Sequence, residues 1–247
     1  MRPIDKGACP LDEKGNPKTV SDYKDWRQDL IDAIGNWCCY CNMTLTDSPQ
    51  VEHVVPKNPK SGEVKGAELD WENLLLACGP CNRGKTNNPI HSDTHYIPDF
   101  HNTDMVFRNV VLDHPEKVGR KTCLPFPAKS AAVDLEKAEA TIKLFVLHQI
   151  KTKDVRAIDL RWHYRFEAWT AALLWKAHWD SFGQSQKIEF AQLLVTAASS
   201  KGFFSVWMQI FEKDPFIRLA LIEAFKGTSR DCYDGNGNAI PRNGWDI

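Results

Sequence analysis

The chain has 247 residues, and its 31 lysines and arginines are balanced by 32 aspartates and glutamates for a net charge of −1. This length is enough for one sizeable core or two small ones. The balanced charge argues against a stand-alone DNA-binding protein, which is usually basic, so any phosphate affinity must come from a local patch or a partner subunit. We expect a cytoplasmic chain with reduced cysteines and no membrane partner, because the sequence contains neither a signal-like apolar region nor a bilayer-length apolar run.

The first 35 residues predict an extended arm followed by a helix. Residues 1–20 are polar and rich in proline, glycine and charge, which favours the arm. Ser21 is suited to cap the helix, and Gly35 is placed to end it in a left-handed conformation. Apolar residues at helical spacing predict its buried stripe, namely Tyr23, Trp26, Leu30, Ile31 and Ile34.

The next segment predicts a strand, a loop, a second strand and a helix. The β-branched string at 51–56 predicts a short strand that Pro56 closes, and residues 57–70 are rich in turn formers. Leu74 begins a second short apolar strand, and the Gly79-Pro80 turn predicts a helix that starts near Asn82. Residues 86–130 lack a clear period, so we expect irregular or short-strand structure there.

The C-terminal part of the chain has helical periodicity. The longest predicted helix has its apolar face at Ile158, Trp162, Phe166, Trp169 and Leu173. A glycine-, asparagine- and proline-rich tail follows the last helix. Together these patterns predict an α+β chain with an N-terminal domain at 1–130 and a helical domain at 131–247. The predicted helices span residues 133–150, 155–179, 185–198, 203–211 and 216–225.

Two Cys-x-x-Cys pairs predict a metal site in the N-terminal part. Cys38 and Cys41 form the first pair, and Cys78 and Cys81 form the second. This spacing lets two thiolates from one turn reach a single ion, and two pairs complete a tetrahedral structural zinc site. The alternative is two unrelated pairs of buried thiols, and Cys39 is an alternative ligand to Cys38.

Polar residues between the cysteine pairs indicate phosphodiester chemistry. Glu52 and His53 are adjacent, Asn73 stands before the second strand, and Asn82 follows the last cysteine. Each residue alone has an ordinary structural explanation, such as a turn or a strand histidine. Their order around the two cysteine pairs favours phosphodiester hydrolysis. An imidazole can deprotonate water near neutral pH, and hard oxygen ligands suit Mg²⁺ or Mn²⁺.

The strings WCCYC, VEHVVPK and DWENLLLACGPCNRGKTN resemble the HNH nuclease motif on a zinc-stapled ββα-metal fold, with a core at about 37–90. The resemblance implies that His53 is the general base and that Glu52 and Asn82 bind the catalytic Mg²⁺ or Mn²⁺. It also implies that Asn73 braces the loop that holds His53. Lys85, one helical turn after Asn82, is either a contact to a substrate phosphate or a solvated charge on the helix. Glu52 replaces the commoner aspartate, and Asn82 replaces the final histidine of the motif.

A wider resemblance rests on shorter strings. MRPIDKG, YIPDFHNT and AFKGTSRDCYD followed by IPR resemble the HNH subunits of Septu antiphage systems, the PtuB family, which also occurs beside some retrons. This resemblance implies a PtuA-like ABC-type ATPase partner and a nucleic-acid substrate, with DNA as the default and tRNA as the alternative. A non-catalytic zinc adaptor is the competing hypothesis from a different class.

One basic stretch, residues 151–165, is a candidate nucleic-acid contact. Its aromatic neighbours Trp162 and Tyr164 could stack on exposed bases. We favour the simpler interpretation, an amphipathic helix with a solvated face and buried tryptophan. The cations of the stretch are Lys151, Lys153, Arg156, Arg161 and Arg165.

Overall fold

Two antiparallel two-stranded sheets and a set of helices make up the fold. The computed structural model describes residues 1–47, 49–150, 159–244 and 247. The strands are β1 (Gln50–His53), β2 (Leu74–Ala77), β3 (Phe107–Asp113) and β4 (Lys121–Pro127). The α-helices are α1 (Arg27–Ile34), α2 (Gly79–Lys85), α3 (Thr103–Val106), α4 (Leu135–Leu144), α5 (Arg161–Ser181), α6 (Gln184–Lys201), α7 (Phe204–Ile210) and α8 (Pro215–Ala224).

The predicted first helix is confirmed, although its first turn differs from the prediction. A 3-10 turn at Tyr23–Trp26 leads into α1, and Asp22 rather than Ser21 caps the turn by accepting from the Lys24 N–H. Gly35 ends α1 with φ +75°, and a Cβ at this position would lie 2.0 Å from the Trp37 ring. Glycine is therefore required there both by the backbone and by the close approach of the tryptophan.

The strand–loop–strand–helix segment forms a ββα unit. β1 pairs with β2 in antiparallel register, so that His53 lies opposite Leu74 and Glu52 opposite Leu75. The helix α2 begins at Gly79 rather than near Asn82 as predicted. Pro80 lies in its first turn, where a missing N–H breaks no helical hydrogen bond, so the predicted turn residues are part of the helix.

A regular hairpin occupies part of the segment predicted to be irregular or short-stranded. β3 and β4 pair along their whole length, from Phe107–Pro127 to Asp113–Lys121. The hydrophobic alternation is inverted on β3, since Asn109 is buried while Val110 is 37 % exposed. Gln209 accepts from the Asn109 N–H and donates to its carbonyl, which satisfies the buried backbone. This inversion explains why the strand pattern was not recognised.

Each predicted C-terminal helix has a counterpart, but α4 ends at Leu144, six residues before the predicted end, and α5 begins at Arg161. The residues predicted at 155–158 lie outside the described part of the chain.

The predicted apolar face of α5 is wrong at Leu173, which is 48 % exposed, whereas Trp162 is buried as predicted and Trp169 packs against the second cluster of buried residues. Ala168 and Ala172 are fully buried instead, and these small side chains let α7 pack closely on α5.

The two ends of the chain pack together. Ile4 is fully buried and forms a β-bridge with Thr228, and Arg2 is 1 % exposed. The Arg2 guanidinium donates to the carbonyls of Ile34 and Phe225, which lie at the ends of α1 and α8. The first four residues of the predicted arm and part of the tail are therefore buried, whereas residues 7–20 are exposed or half-buried.

Two clusters of buried apolar residues underlie this architecture. The first runs from Met1 to Leu147 and includes Ile247, and the second runs from Ala168 to Tyr233. Trp37 extends from the first region onto the second cluster. The α+β class with a helical C-terminal region is confirmed, while the division at 130/131 stays a prediction. No helix in the described ranges has the length and apolarity that crossing a bilayer demands.

We predict that Arg2→Met lowers the free energy of unfolding by about 2–4 kcal/mol, because carbonyls at two helix C-termini lose their buried cationic donor. Urea denaturation followed by circular dichroism measures the change. Lys14→Met removes an exposed positive charge and should change stability by less than about 0.5 kcal/mol. Equal stability of the two variants contradicts the prediction.

Candidate metal centre and active site

Four buried cysteines meet at one point of the ββα unit. The sulfurs of Cys38, Cys41, Cys78 and Cys81 all lie within 4.8 Å of one another, and Cys41 Sγ lies 3.6 Å from Cys78 Sγ. Tetrahedral zinc with 2.3 Å bonds to sulfur requires sulfur–sulfur distances of about 3.8 Å. The donor set therefore fits a structural zinc ion that has no open coordination position. Cys39 lies outside the group, so the predicted set with Cys38 is the one that the structure forms.

Local backbone geometry brings the two cysteine pairs together. Asn42 adopts φ +60° and donates from its N–H to the Cys38 carbonyl. This hydrogen bond closes the turn that carries Cys38 and Cys41. Asparagine tolerates this left-handed conformation better than most residues. In the second cysteine pair, Cys78 is the extended residue before α2, and its carbonyl accepts from the Asn82 N–H. Cys81 therefore lies in the first turn of α2.

Arg161 links the cysteine cluster to the helical region. Its Nη1 donates to Cys81 Sγ over 3.0 Å and to the Phe145 carbonyl. Asp159 holds the same guanidinium through an Nη2–Oδ2 contact of 2.6 Å. Four thiolates around Zn²⁺ carry a net charge of about −2, so a buried guanidinium at the sulfur stabilises the charged centre.

The basic stretch at 151–165 does not form a surface contact where the structure describes it. Arg161 and Arg165 are each 3 % exposed, and Arg165 donates to the Cys123 carbonyl. Lys151, Lys153 and Arg156 lie outside the described residues. The role of Arg161 beside the four cysteines was therefore not predicted from the sequence. Its separation from Cys81 by 80 residues left no local signal.

Glu52 lies on the face of β1 that α2 covers. Both oxygens of its carboxylate have a polar partner: Oε1 pairs with the Lys85 ammonium at 2.6 Å, and Oε2 accepts from the Tyr40 hydroxyl. Both side chains of the ion pair are at most 2 % exposed. Burial raises the pKa of Glu52, while Lys85 and Tyr40 favour its charged form. The carboxylate is fully occupied within the protein.

Lys85 does not occupy the position expected of a phosphate contact. It is 1 % exposed, and its ammonium also donates to the His53 carbonyl over 2.6 Å. The reason is the helical register, because α2 packs on β1 and turns Lys85 toward Glu52. The expected phosphate contact at Lys85 is therefore corrected to a buried ion pair that fastens α2 to β1.

His53 lies on the opposite face of β1 from Glu52, as the alternation of strand side chains requires. Its Nε2 lies 3.0 Å from the Glu68 carbonyl oxygen, and its ring is 4.7 Å from the Tyr23 ring. A carbonyl oxygen only accepts, so Nε2 carries the proton and Nδ1 holds the lone pair. Burial lowers the pKa of His53, which keeps the imidazole neutral and able to accept a proton.

The Asn73 side chain joins the two ends of the loop between β1 and β2. Its Oδ1 accepts from the Val55 N–H over 2.8 Å, and its Nδ2 donates to the carbonyls of Val55 and Ala67 at 2.9 Å each. Gly66 permits this close packing, because a Cβ there would lie 2.0 Å from the Val55 carbonyl oxygen. These contacts hold the loop that carries Glu68 against the end of β1.

Asn82 lies beside β1 on the same side as Glu52. Its Nδ2 donates to Gln50 Oε1 over 2.8 Å, and Gln50 precedes Glu52 by two residues on the strand. The structure thus brings Asn82 and Glu52 to one face and leaves His53 on the other. A divalent cation does not fit Glu52 in this arrangement, because Lys85 and Tyr40 already hold both carboxylate oxygens.

We predict that Arg161→Leu weakens zinc binding by about 10- to 100-fold, because Cys81 loses its buried hydrogen-bond donor. Competition with a chromogenic chelator measures the affinity of the purified protein for zinc. Arg161→Lys keeps the charge but loses the guanidinium fork, so its affinity should lie between those of the wild type and Arg161→Leu. Unchanged zinc affinity in Arg161→Leu would show that the contact is incidental.

We predict that Lys85→Met lowers the free energy of unfolding by about 3–5 kcal/mol, because Glu52 is left as a buried unpaired charge. The double variant Glu52→Gln with Lys85→Met should recover most of the loss. Urea denaturation of the wild type, both single variants and the double variant forms a complete cycle. Strictly additive effects would argue against a direct interaction between the two side chains.

Comparison with known families identifies the ββα unit. Residues 29–88 match the family model of the HNH endonucleases, and this range contains β1, β2, α2 and the four clustered cysteines. No curated protein and no solved structure matches the chain. The predicted zinc-stapled core followed by a helical region is confirmed. Residues 29–88 therefore form a domain that matches the HNH endonuclease family.

Proposed function

We propose that this protein is a metal-dependent endonuclease in which His53 is the general base. The observation that carries the proposal is the contact between His53 Nε2 and the Glu68 carbonyl. It leaves Nδ1 as the proton acceptor on an imidazole whose pKa is lowered by burial. In this role Nδ1 takes a proton from the water that attacks the phosphorus, the P–O bond to the leaving oxygen breaks, and solvent protonates that oxygen.

The proposal includes a requirement for a divalent cation. Mg²⁺ or Mn²⁺ would stabilise the negative charge that develops on the phosphate. Asn82 offers an amide oxygen of the type that these ions accept. Glu52 does not fit the ligand role that the sequence resemblance implied, because Lys85 and Tyr40 hold its oxygens. We therefore assign no catalytic step to Glu52.

We further propose that the nuclease acts on DNA in antiphage defence, together with a PtuA-like ABC-type ATPase. The support is the resemblance of three short strings outside the HNH domain. These strings also contact one another in the fold: the Ile4 N–H donates to the Pro98 carbonyl, the Asp5 N–H donates to the Gly227 carbonyl, and Arg242 donates to the Ile4 carbonyl. The three strings therefore lie side by side in the fold, as we expect of segments that together bind one partner.

A non-catalytic zinc adaptor is the second candidate function. The buried Glu52–Lys85 pair favours it, because a residue expected to bind the catalytic cation has a structural partner instead. The position of His53 within the HNH match favours the nuclease, together with the Glu68 carbonyl contact that orients its ring.

We predict that His53→Ala lowers the cleavage rate by about 10²- to 10⁴-fold, because the attacking water loses its base. The assay follows plasmid, linear DNA and tRNA with added Mg²⁺ or Mn²⁺ and with the co-purified ATPase present. His91→Ala is the matched control, because His91 is exposed and outside the HNH match. Undiminished cutting by His53→Ala rules out the assigned base.

Phage protection in cells separates the two candidate functions. The nuclease hypothesis predicts that His53→Ala and Cys78→Ser both abolish protection. The adaptor hypothesis predicts that only Cys78→Ser does so, because zinc holds the fold in both cases. The preferred substrate in the cleavage assay distinguishes DNA from tRNA.

A further inference from the structure

A groove of about 620 Å³ lies outside the HNH domain. It is formed where α3, the start of β3 and the segment after β4 meet α7, α8 and the C-terminal loop near residue 238. Neither the four cysteines nor His53 lines it. Its volume is within the range of about 300–1,000 Å³ that is typical of small-molecule sites.

The charged lining of the groove is mainly basic. Its lining includes four lysine or arginine side chains and two acidic ones, although the whole chain has a net charge of −1. The acids are Asp104 and Glu212, and Glu212 makes only a loose contact of 3.8 Å with Arg108. We call this site the anion groove and define it by its cations, which are Arg108, Lys129, Lys213 and Arg218.

Arg218 gives the anion groove a fixed charge. It is 7 % exposed, and its Nη1 donates to the Glu212 carbonyl and to Asn238 Oδ1 at 3.2 and 2.6 Å. Its buried Nε has no hydrogen-bond partner. A buried guanidinium whose donors are not all used is costly unless an acceptor reaches it, and a planar guanidinium matches the oxygens of a phosphate.

Two hydroxyl groups on the lining add donors. Ser130 Oγ accepts from the Ala132 N–H, and Ser205 Oγ accepts from Asn109 Nδ2. Both contacts use a lone pair of the hydroxyl oxygen and leave its proton available. The anion groove therefore offers charged and neutral donors to one ligand.

We propose that the anion groove binds the phosphate of a nucleotide, either free or within a nucleic-acid strand. A phosphate carries the charge and the several acceptor oxygens that this lining complements. The strand form of the proposal rests on the nuclease function proposed above, whereas the free-nucleotide form does not. In the strand form, the groove anchors substrate away from His53.

The test compares two triple variants of the full chain. Arg108→Gln, Lys129→Gln and Lys213→Gln together remove the exposed cations of the anion groove. Lys14→Gln, Lys117→Gln and Arg120→Gln remove the same number of lysines and arginines from exposed sites elsewhere. The probes are mant-ADP and a short fluorescein-labelled single-stranded DNA, titrated at low salt without added Mg²⁺ or Mn²⁺. Binding is therefore read without cleavage, and a failure of the nuclease proposal does not affect it.

We predict that the groove variant loses at least about tenfold in affinity for one probe while the control variant keeps wild-type affinity. Loss of mant-ADP binding supports a free nucleotide, and loss of DNA binding alone supports a strand. Arg218→Lys should weaken the same probe, because the ammonium cannot reproduce the guanidinium geometry. The proposal is overturned if both triple variants bind equally well, or if neither probe binds the wild type.

Discussion

The clustering of four buried sulfurs is the constraint on which the HNH domain depends. Cys38 and Cys41 precede β1, whereas Cys78 and Cys81 bracket the start of α2. A single ion that binds all four fixes both ends of the unit, which contains only two short strands and a seven-residue helix. Such a small unit buries too little apolar surface to hold its geometry alone.

The same cluster connects the domain to the helical region. Four thiolates around a zinc ion would carry a net negative charge that needs compensation in a buried environment, and Arg161 at the start of α5 is placed to supply it. Asp159 and the Phe145 carbonyl hold the guanidinium in turn, so the contact is a network rather than a single bond. The stability of the HNH domain is therefore linked to a residue far from it in sequence.

Strand alternation then divides the polar residues of β1 into two groups. Glu52 points toward α2 and joins the buried pair with Lys85, while His53 points toward the loop that carries Glu68. The division separates two tasks, since one face holds the helix and the other orients an imidazole. Glu52 adjoins His53 in sequence without sharing its surroundings.

The sequence predicted the features that depend on local spacing. The Cys-x-x-Cys pairs and the periodic helices were identified because their ligands or apolar residues recur at fixed short intervals. The burial of Lys85 and Arg161 was not predictable, because it depends on partners that the fold brings from other elements. The β3–β4 hairpin was missed for a related reason, since Gln209 satisfies the buried Asn109 from 100 residues away.

The buried cations also change how the net charge should be interpreted. Among the described residues, six basic side chains are buried but only two acidic ones, Glu52 and Asp159. The described part of the surface therefore has a larger excess of acidic over basic side chains than the net charge of −1 suggests. A nucleic acid would bind only where exposed cations cluster. The buried cations fasten carbonyls, thiolates and carboxylates within the fold, and they are Arg2, Lys6, Lys85, Arg161, Arg165 and Arg218.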